Sequence, residues 1–144
     1  MSNSARLRYL RIALILVGLI FIFGVYPLMM GLWPSGWRWS PNQPQYEQMI
    51  VGVYATLGVF LLLAARNPLR NLSLIWFTVF SSVVHAAIMT VQSFGSGHHM
   101  GHLLGDVPVL LLVAVVLAAL VLSSGLKQSA SAPSPARRPH GSPA

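Results

Sequence analysis

The sequence predicts an all-α protein, a four-transmembrane-helix bundle, from the length, the apolarity and the low charge of four segments. Each segment is about as long as a bilayer crossing, and the four run through residues 12–33, 49–65, 72–94 and 107–124. A helix needs about 20 residues to cross a hydrocarbon core about 30 Å thick, at about 1.5 Å per residue. A backbone in lipid must satisfy its own hydrogen bonds, and these segments lack the alternation of strands, so helices are expected.

Composition supports a membrane location and excludes several kinds of site. The 144 residues are 55% hydrophobic and 8% charged, with a mean hydropathy of +0.67, whereas soluble domains carry about 25% charged residues. The absence of cysteine excludes disulfides, thiolate metal sites and iron–sulfur clusters. The net charge of +7 comes from basic residues outside the apolar segments, so the lipid bilayer is an expected partner and nucleic acid is not.

The basic residues lie almost entirely on one side of the predicted bundle. Eight of the nine Lys and Arg residues precede the first segment, separate the second from the third, or follow the fourth, and Arg38 is the exception. The positive-inside rule therefore places the N and C termini in the cytoplasm. The first segment is too long for a signal-peptide core, so we expect a retained helix. The transmembrane domain then covers residues 1–124, and the Ser-, Pro- and Ala-rich residues 125–144 are expected to form a disordered cytoplasmic tail.

The outer half of the predicted bundle holds the polar side chains suited to bind a ligand. With Phe94 and Gly101 as the outer ends of the third and fourth helices, the helical rise places Asp106 roughly 7 Å inside and His85, level with Tyr54, roughly 13 Å inside. Ionisable groups are costly against lipid, so these polar side chains are expected to turn toward one another. The sequence thus predicts a small polar pocket open to the outer side. Its predicted residues are Glu47, Tyr54, Ser82, His85, Gln92, His102 and Asp106.

These side chains also have structural explanations. Asp106 lies two residues before Pro108, a pattern typical of the start of a helix, where an acid can act as N-cap. Glu47 lies near a predicted helix start, where a carboxylate complements the helix dipole. His85 needs a partner at its depth, and that partner is either a functional group or a structural hydrogen bond to Tyr54 or a serine.

The sequence supplies only part of the residues that a metal site, a haem site or a proton-coupled transporter requires. His98, His102 and Asp106 would line up at steps of four in a helix, and imidazole with carboxylate suits zinc or copper, but the neighbouring glycines disfavour a helix. Bis-histidine haem needs histidines at matching depth, and His85 and His102 differ by roughly 12 Å. A proton-coupled transporter needs an acid within a span, whereas Glu47 and Asp106 lie near helix ends. No metal or other cofactor is therefore expected, and no catalytic residue is assigned.

Five stretches of the chain carry a further signal, namely MIVGVYATLG at 49–58, AARNP at 64–68, SLIWFT at 73–78, SSVVHA at 81–86 and GHLLGDV at 101–107. They resemble a family of small bacterial four-helix membrane proteins of unknown function, distantly similar to the DoxX-like proteins. The resemblance implies the same bundle, in a bacterial inner membrane. DoxX-like relatives are linked to thiol and redox partnerships, a role that a chain without cysteine does not support. The family-pattern positions that it marks are Tyr54, Arg66, Ser82, His85, His102 and Asp106.

The sequence contains no evident nucleophile–base pair, phosphate-binding loop or complete metal set. The expected function is therefore a binding or accessory subunit, whose partner is another copy of the chain or a larger membrane complex. Two alternatives stay open. One is a membrane enzyme that acts on a lipid or quinone head group with His85 as acid/base, and the other is a small proton-coupled transporter.

Overall fold

Four long helices dominate the computed structural model, which describes residues 3–32, 34, 37–38, 44–95 and 97–130. All four are long and apolar enough to cross a membrane. They are α1 (3–32), α2 (Pro44–Ala64), α3 (Leu72–Gly95) and α4 (Asp106–Ala130). Over the described residues, this confirms the prediction of an all-helical chain with four helices long and apolar enough to cross a membrane. The cytoplasmic placement of the two termini stays a prediction.

The first helix, α1, is continuous but irregular. Asn3–Leu19 and Val25–Pro27 are α-helical, whereas Ile20–Gly24 and Leu28–Leu32 are π-helical. Pro27 lacks a backbone N–H, and its ring crowds the carbonyl one turn earlier, so a regular hydrogen-bond ladder cannot continue through it. Phe21, in the first π-helical stretch, is buried in the core of the bundle.

Two glycines lie at the contact between α1 and α2. A Cβ atom added at Gly58 would lie 2.6 Å from the carbonyl oxygen of Gly18, and one added at Gly18 would lie 2.9 Å from that of Gly58. A larger residue at either position would therefore push the two backbones apart. Small residues that permit such an approach are common where helices pack in membranes, because the hydrophobic effect contributes little there.

The N-terminal part of α1, the α2–α3 turn and the C-terminal part of α4 lie at the same end of the bundle. The turn contains a 3₁₀ helix, Pro68–Arg70, that contacts α1. Arg6 Nη1 donates a hydrogen bond of 2.7 Å to the carbonyl oxygen of Ser123, near the end of α4. The basic side chains Arg6, Arg66 and Arg70 therefore share one end, as the charge pattern predicted.

The sequence predicted that the fourth helix has its outer end at Gly101, but the connection from α3 to α4 has a different structure. Gly97–Leu103 forms a 3₁₀ helix that packs against α3, and α4 begins only at Asp106. Glycine destabilises an α-helix, and this segment is rich in it. Val107 packs in one apolar cluster with Met89 of α3, so Asp106 still lies deeper than the end of α3.

The last helix continues past the predicted end of the transmembrane domain. The fourth predicted segment ends at Ser124, whereas α4 extends through Ala130. The rest of the predicted tail, 131–144, lies outside the described residues.

The helices follow the order α2, α1, α4, α3 around the bundle. α4 packs extensively against α3, and α1 packs against both α2 and α4, whereas α2 and α3 have little contact. Fully buried side chains fill the shared core, among them Leu14, Leu61, Ile75 and Leu117. Many large apolar side chains point outward, as expected of a surface that lipid covers. The weak contact between α2 and α3 leaves a cleft in the side of the bundle.

Candidate functional site

Tyr54 of α2 and His85 of α3 form a hydrogen-bonded pair across this cleft. Tyr54 Oη lies 3.1 Å from His85 Nδ1. When the neutral imidazole carries its proton on Nε2, Tyr54 donates to Nδ1 and the Nε2–H group is left for another partner. The side chains are both partly buried. The helical rise had placed these two residues at one depth, and the structure gives His85 the tyrosine partner that the sequence analysis considered.

Tyr54 also packs against α1 and against an apolar cluster shared by α3 and α4. Its ring packs edge-on against Phe21 of α1, with ring centroids 4.9 Å apart and an interplanar angle of 72°. It further packs against the apolar cluster that contains Met89 of α3 and Leu110 of α4. This packing positions the ring so that its hydroxyl lies at the cleft, beside His85.

His102 and Asp106 form a second pair, at the junction of the 3₁₀ helix with α4. His102 Nδ1 lies 3.1 Å from Asp106 Oδ2, and the two residues are 0% and 5% exposed. Within the described residues, Asp106 Oδ1 has no hydrogen-bond partner. Asp106 lies in the first turn of α4, where an acid complements the helix dipole.

Glu47 is paired with a loop residue rather than with the other candidate residues. It is 3% exposed, and its Oε1 accepts a hydrogen bond of 2.8 Å from Arg38 Nε. This ion pair connects the loop after α1 to the first turn of α2. In the described part of the chain, Glu47 Oε2 has no hydrogen-bond partner.

A cavity of about 290 Å³ occupies the cleft between α2 and α3. Its polar lining comes from Tyr54, Ser81, Ser82 and His85, and the remaining lining residues are apolar apart from Tyr46. Val53 lines the cavity and is 68% exposed, so the cavity opens to the side of the bundle. A second cavity of about 430 Å³ continues along the same cleft.

The seven candidate residues are therefore distributed over several places. Tyr54, Ser82 and His85 line the first cavity, and His85 also lines the second together with Gln92. Neither cavity is lined by Glu47, His102 or Asp106. One polar pocket that contains all seven side chains and opens to the outer side stays a prediction.

A metal site was one of the chemistries considered from the sequence. Among the described residues, no three His, Asp or Glu side chains gather in a way that could hold a metal ion. The side chains of His98 and His99 lie outside the described residues. A site built from His98, His102 and Asp106 therefore stays a hypothesis.

Two residues that contact the candidate residues, Arg38 and Phe21, were not predicted from the sequence. A signal for Arg38 existed, because Glu47 is one of only two acids in the chain and Arg38 is the basic residue that departs from the charge bias. For Phe21 there was no signal, since it is one of many apolar residues in the first segment and its contact with Tyr54 depends on how the helices pack.

Four helices of membrane-crossing length and apolarity are the features of a multi-pass membrane protein. The chain belongs to a family of unknown function, DUF6632, which it matches over residues 4–138. A search of curated proteins and of solved structures found no significant match. The bacterial origin and the DoxX relationship implied by the resemblance stay predictions.

Proposed function

We propose that this protein is a non-catalytic membrane protein that binds an amphiphilic molecule from the bilayer in the α2–α3 cleft. One observation carries the proposal: a hydrogen-bonding pair, Tyr54 and His85, borders an apolar cavity that opens to the side of the bundle. An amphiphile entering from the bilayer would place its head group at this pair. Its apolar part would lie along side chains such as Val53 and Phe77.

The size of the cleft favours a small molecule over a helix of another protein. The two cavities measure about 290 Å³ and 430 Å³, which is comparable to small-molecule sites of about 300–1,000 Å³. A helix with side chains is about 10–12 Å wide, and an apolar helix surface would leave the polar groups around His85 without partners.

The bacterial inner membrane is the proposed location, with both termini in the cytoplasm. The charge bias supports this orientation, and Arg6, Arg66 and Arg70 at one end of the bundle agree with it. A second copy of the chain or a larger membrane complex is the proposed partner, which would receive the bound molecule or be regulated by it.

The test is to fill the cleft and measure the amphiphile that the protein retains. Ser81 lines both cavities, so Ser81→Trp should block them, whereas Ser73→Trp, at an exposed position of α3, is the matched control. Native mass spectrometry after purification in mild detergent should show a bound amphiphile on the wild type and on Ser73→Trp, and loss from Ser81→Trp.

Equal retention by a folded Ser81→Trp variant would overturn the proposal. The proposal would also be overturned if the wild type were a dimer and Ser81→Trp became a monomer that still retained the amphiphile. The cleft would then be an interface between two copies of the chain. If Ser81→Trp does not fold, the smaller change Ser81→Leu serves the same comparison.

A proton-coupled transporter is the second candidate function. It is favoured by Asp106, which is buried and whose Oδ1 has no hydrogen-bond partner among the described residues. Such an acid inside a bundle is typical of proton pathways. A pH gradient imposed on proteoliposomes and followed with trapped pyranine should then decay faster through the wild type than through Asp106→Asn. Equal decay would remove this candidate.

The remaining alternative is an enzyme that acts on a lipid or quinone head group with His85 as acid/base. It would require a turnover that His85→Ala abolishes while the fold and the bound amphiphile are retained.

A further inference from the structure

We propose that the α2–α3 cleft selects amphiphiles whose head group is uncharged and carries a hydrogen-bonding oxygen, such as a hydroxyl or a carbonyl. This inference rests on the proposed function and adds the chemical class of the ligand. It follows from the hydrogen-bonding groups that line the cleft, from the charges that are missing there and from the position of Asp106.

The polar groups of the cleft are neutral donors and acceptors. Ser81 Oγ donates to the carbonyl oxygen of Thr78 at 3.2 Å, which leaves its lone pairs as acceptors. Tyr54 donates to His85 Nδ1 in the tautomer with the proton on Nε2. The Nε2–H group of His85 is then the donor left for a ligand oxygen, and a ligand hydroxyl can donate to the serine oxygen.

Among the residues that the structure describes, no lysine or arginine lines either cavity. The described arginines are placed elsewhere: Arg6, Arg8, Arg11, Arg66 and Arg70 lie in the N-terminal part of α1 or in the α2–α3 turn, and Arg38 is paired with Glu47. A phosphate head group in the cleft would lose its hydration without gaining a counter-ion, which is costly.

A cationic head group is disfavoured for a different reason. It would need direct contact with a carboxylate to offset its lost hydration. Asp106 does not line either cavity, and its Oδ2 is held by His102. Asp106 therefore offers a cation no direct carboxylate contact in either cavity.

The test compares three photoactivatable probes that share the same diazirine-bearing acyl chains. Diacylglycerol is uncharged, phosphatidylglycerol is anionic, and a trimethylammonium diacyl lipid is cationic. Each is added at the same low fraction to phosphatidylcholine nanodiscs containing the full chain, and labelling of cleft peptides is normalised to labelling of lipid-facing α4 residues such as Leu112 and Val115.

Diacylglycerol should label the cleft about tenfold more than either charged probe. This ratio is expected if the cleft binds diacylglycerol about tenfold more tightly than it binds the charged probes. His85→Phe should lower that labelling toward the level of the α4 control. Comparable or stronger cleft labelling by a charged probe would overturn the inference and leave the proposed function standing. Absence of cleft labelling above the control for all three probes would overturn both.

Discussion

At Tyr54, a single side chain connects the core of the bundle to the cleft. Its ring packs against Phe21 while its hydroxyl reaches His85. The pairing was accessible from the sequence because residues at equal depth on neighbouring helices follow from the helical rise. The pairing of Glu47 with Arg38 was not, because the conformation of the loop before α2 has no periodicity from which a contact can be inferred.

The Tyr54–His85 hydrogen bond should give a measurable coupling energy. In a double-mutant cycle of Tyr54→Phe and His85→Phe, we expect coupling of about 0.6 kcal/mol and at most about 1.7 kcal/mol, the range found for hydrogen bonds between membrane helices. Unfolding in mixed detergent micelles measures it. The cycle of His85→Phe with Tyr46→Phe is the control, because Tyr46 lines the same cavity but is largely exposed. Equal coupling in both cycles would contradict the hydrogen bond.

The buried carboxylate of Asp106 should depend on His102. His102→Leu keeps an apolar volume but removes the partner of the carboxylate, and breaking a buried pair in this way costs roughly 3–5 kcal/mol. Adding Asp106→Asn to His102→Leu removes the stranded charge and should restore part of the stability to unfolding. If the double variant is no more stable than His102→Leu alone, the carboxylate is not buried as described.

At the scale of the helices, apolar length and composition predicted the four spans well. They did not predict the π-helical stretches of α1 or the 3₁₀ helix Gly97–Leu103. Small differences in backbone geometry decide these, and Pro27 and the glycines of the α3–α4 connection show only where a regular helix is weakened.

Gly58 should tolerate substitution much less than Gly52 on the same helix. A Cβ at Gly58 would lie 2.6 Å from the backbone of α1, whereas a Cβ at Gly52 meets no atom within 4 Å. Gly58→Ala is expected to lower the free energy of unfolding by about 1–3 kcal/mol, as overpacking does, and Gly52→Ala should be neutral or slightly stabilising. Equal effects of the two substitutions in the same unfolding assay would show that α1 and α2 do not approach closely here.

For the whole molecule, the charge bias predicted which connections share an end of the bundle, but nothing in the sequence gave the order of the helices. All four spans are apolar around most of their circumference, so the apolar pattern does not specify neighbours. The weak contact between α2 and α3, on which the proposed function depends, therefore became visible only in the structure.

The orientation can be tested by cysteine labelling, because the chain has no cysteine of its own. Asn67 is exposed in the α2–α3 turn, and Met100, 47% exposed, lies in the α3–α4 connection. A membrane-impermeant maleimide should label Met100→Cys in intact cells, and Asn67→Cys only after permeabilisation, because the positive-inside rule places that turn in the cytoplasm. The reverse pattern would invert the proposed topology.

The most direct measurement is an experimental density map of the protein in lipid nanodiscs. The account predicts a gap between α2 and α3 that holds elongated non-protein density, with one end about 3 Å from the imidazole of His85, at hydrogen-bond distance. If α2 and α3 instead pack together without a gap, or if His85 points outward into the acyl chains away from Tyr54, the binding cleft does not exist.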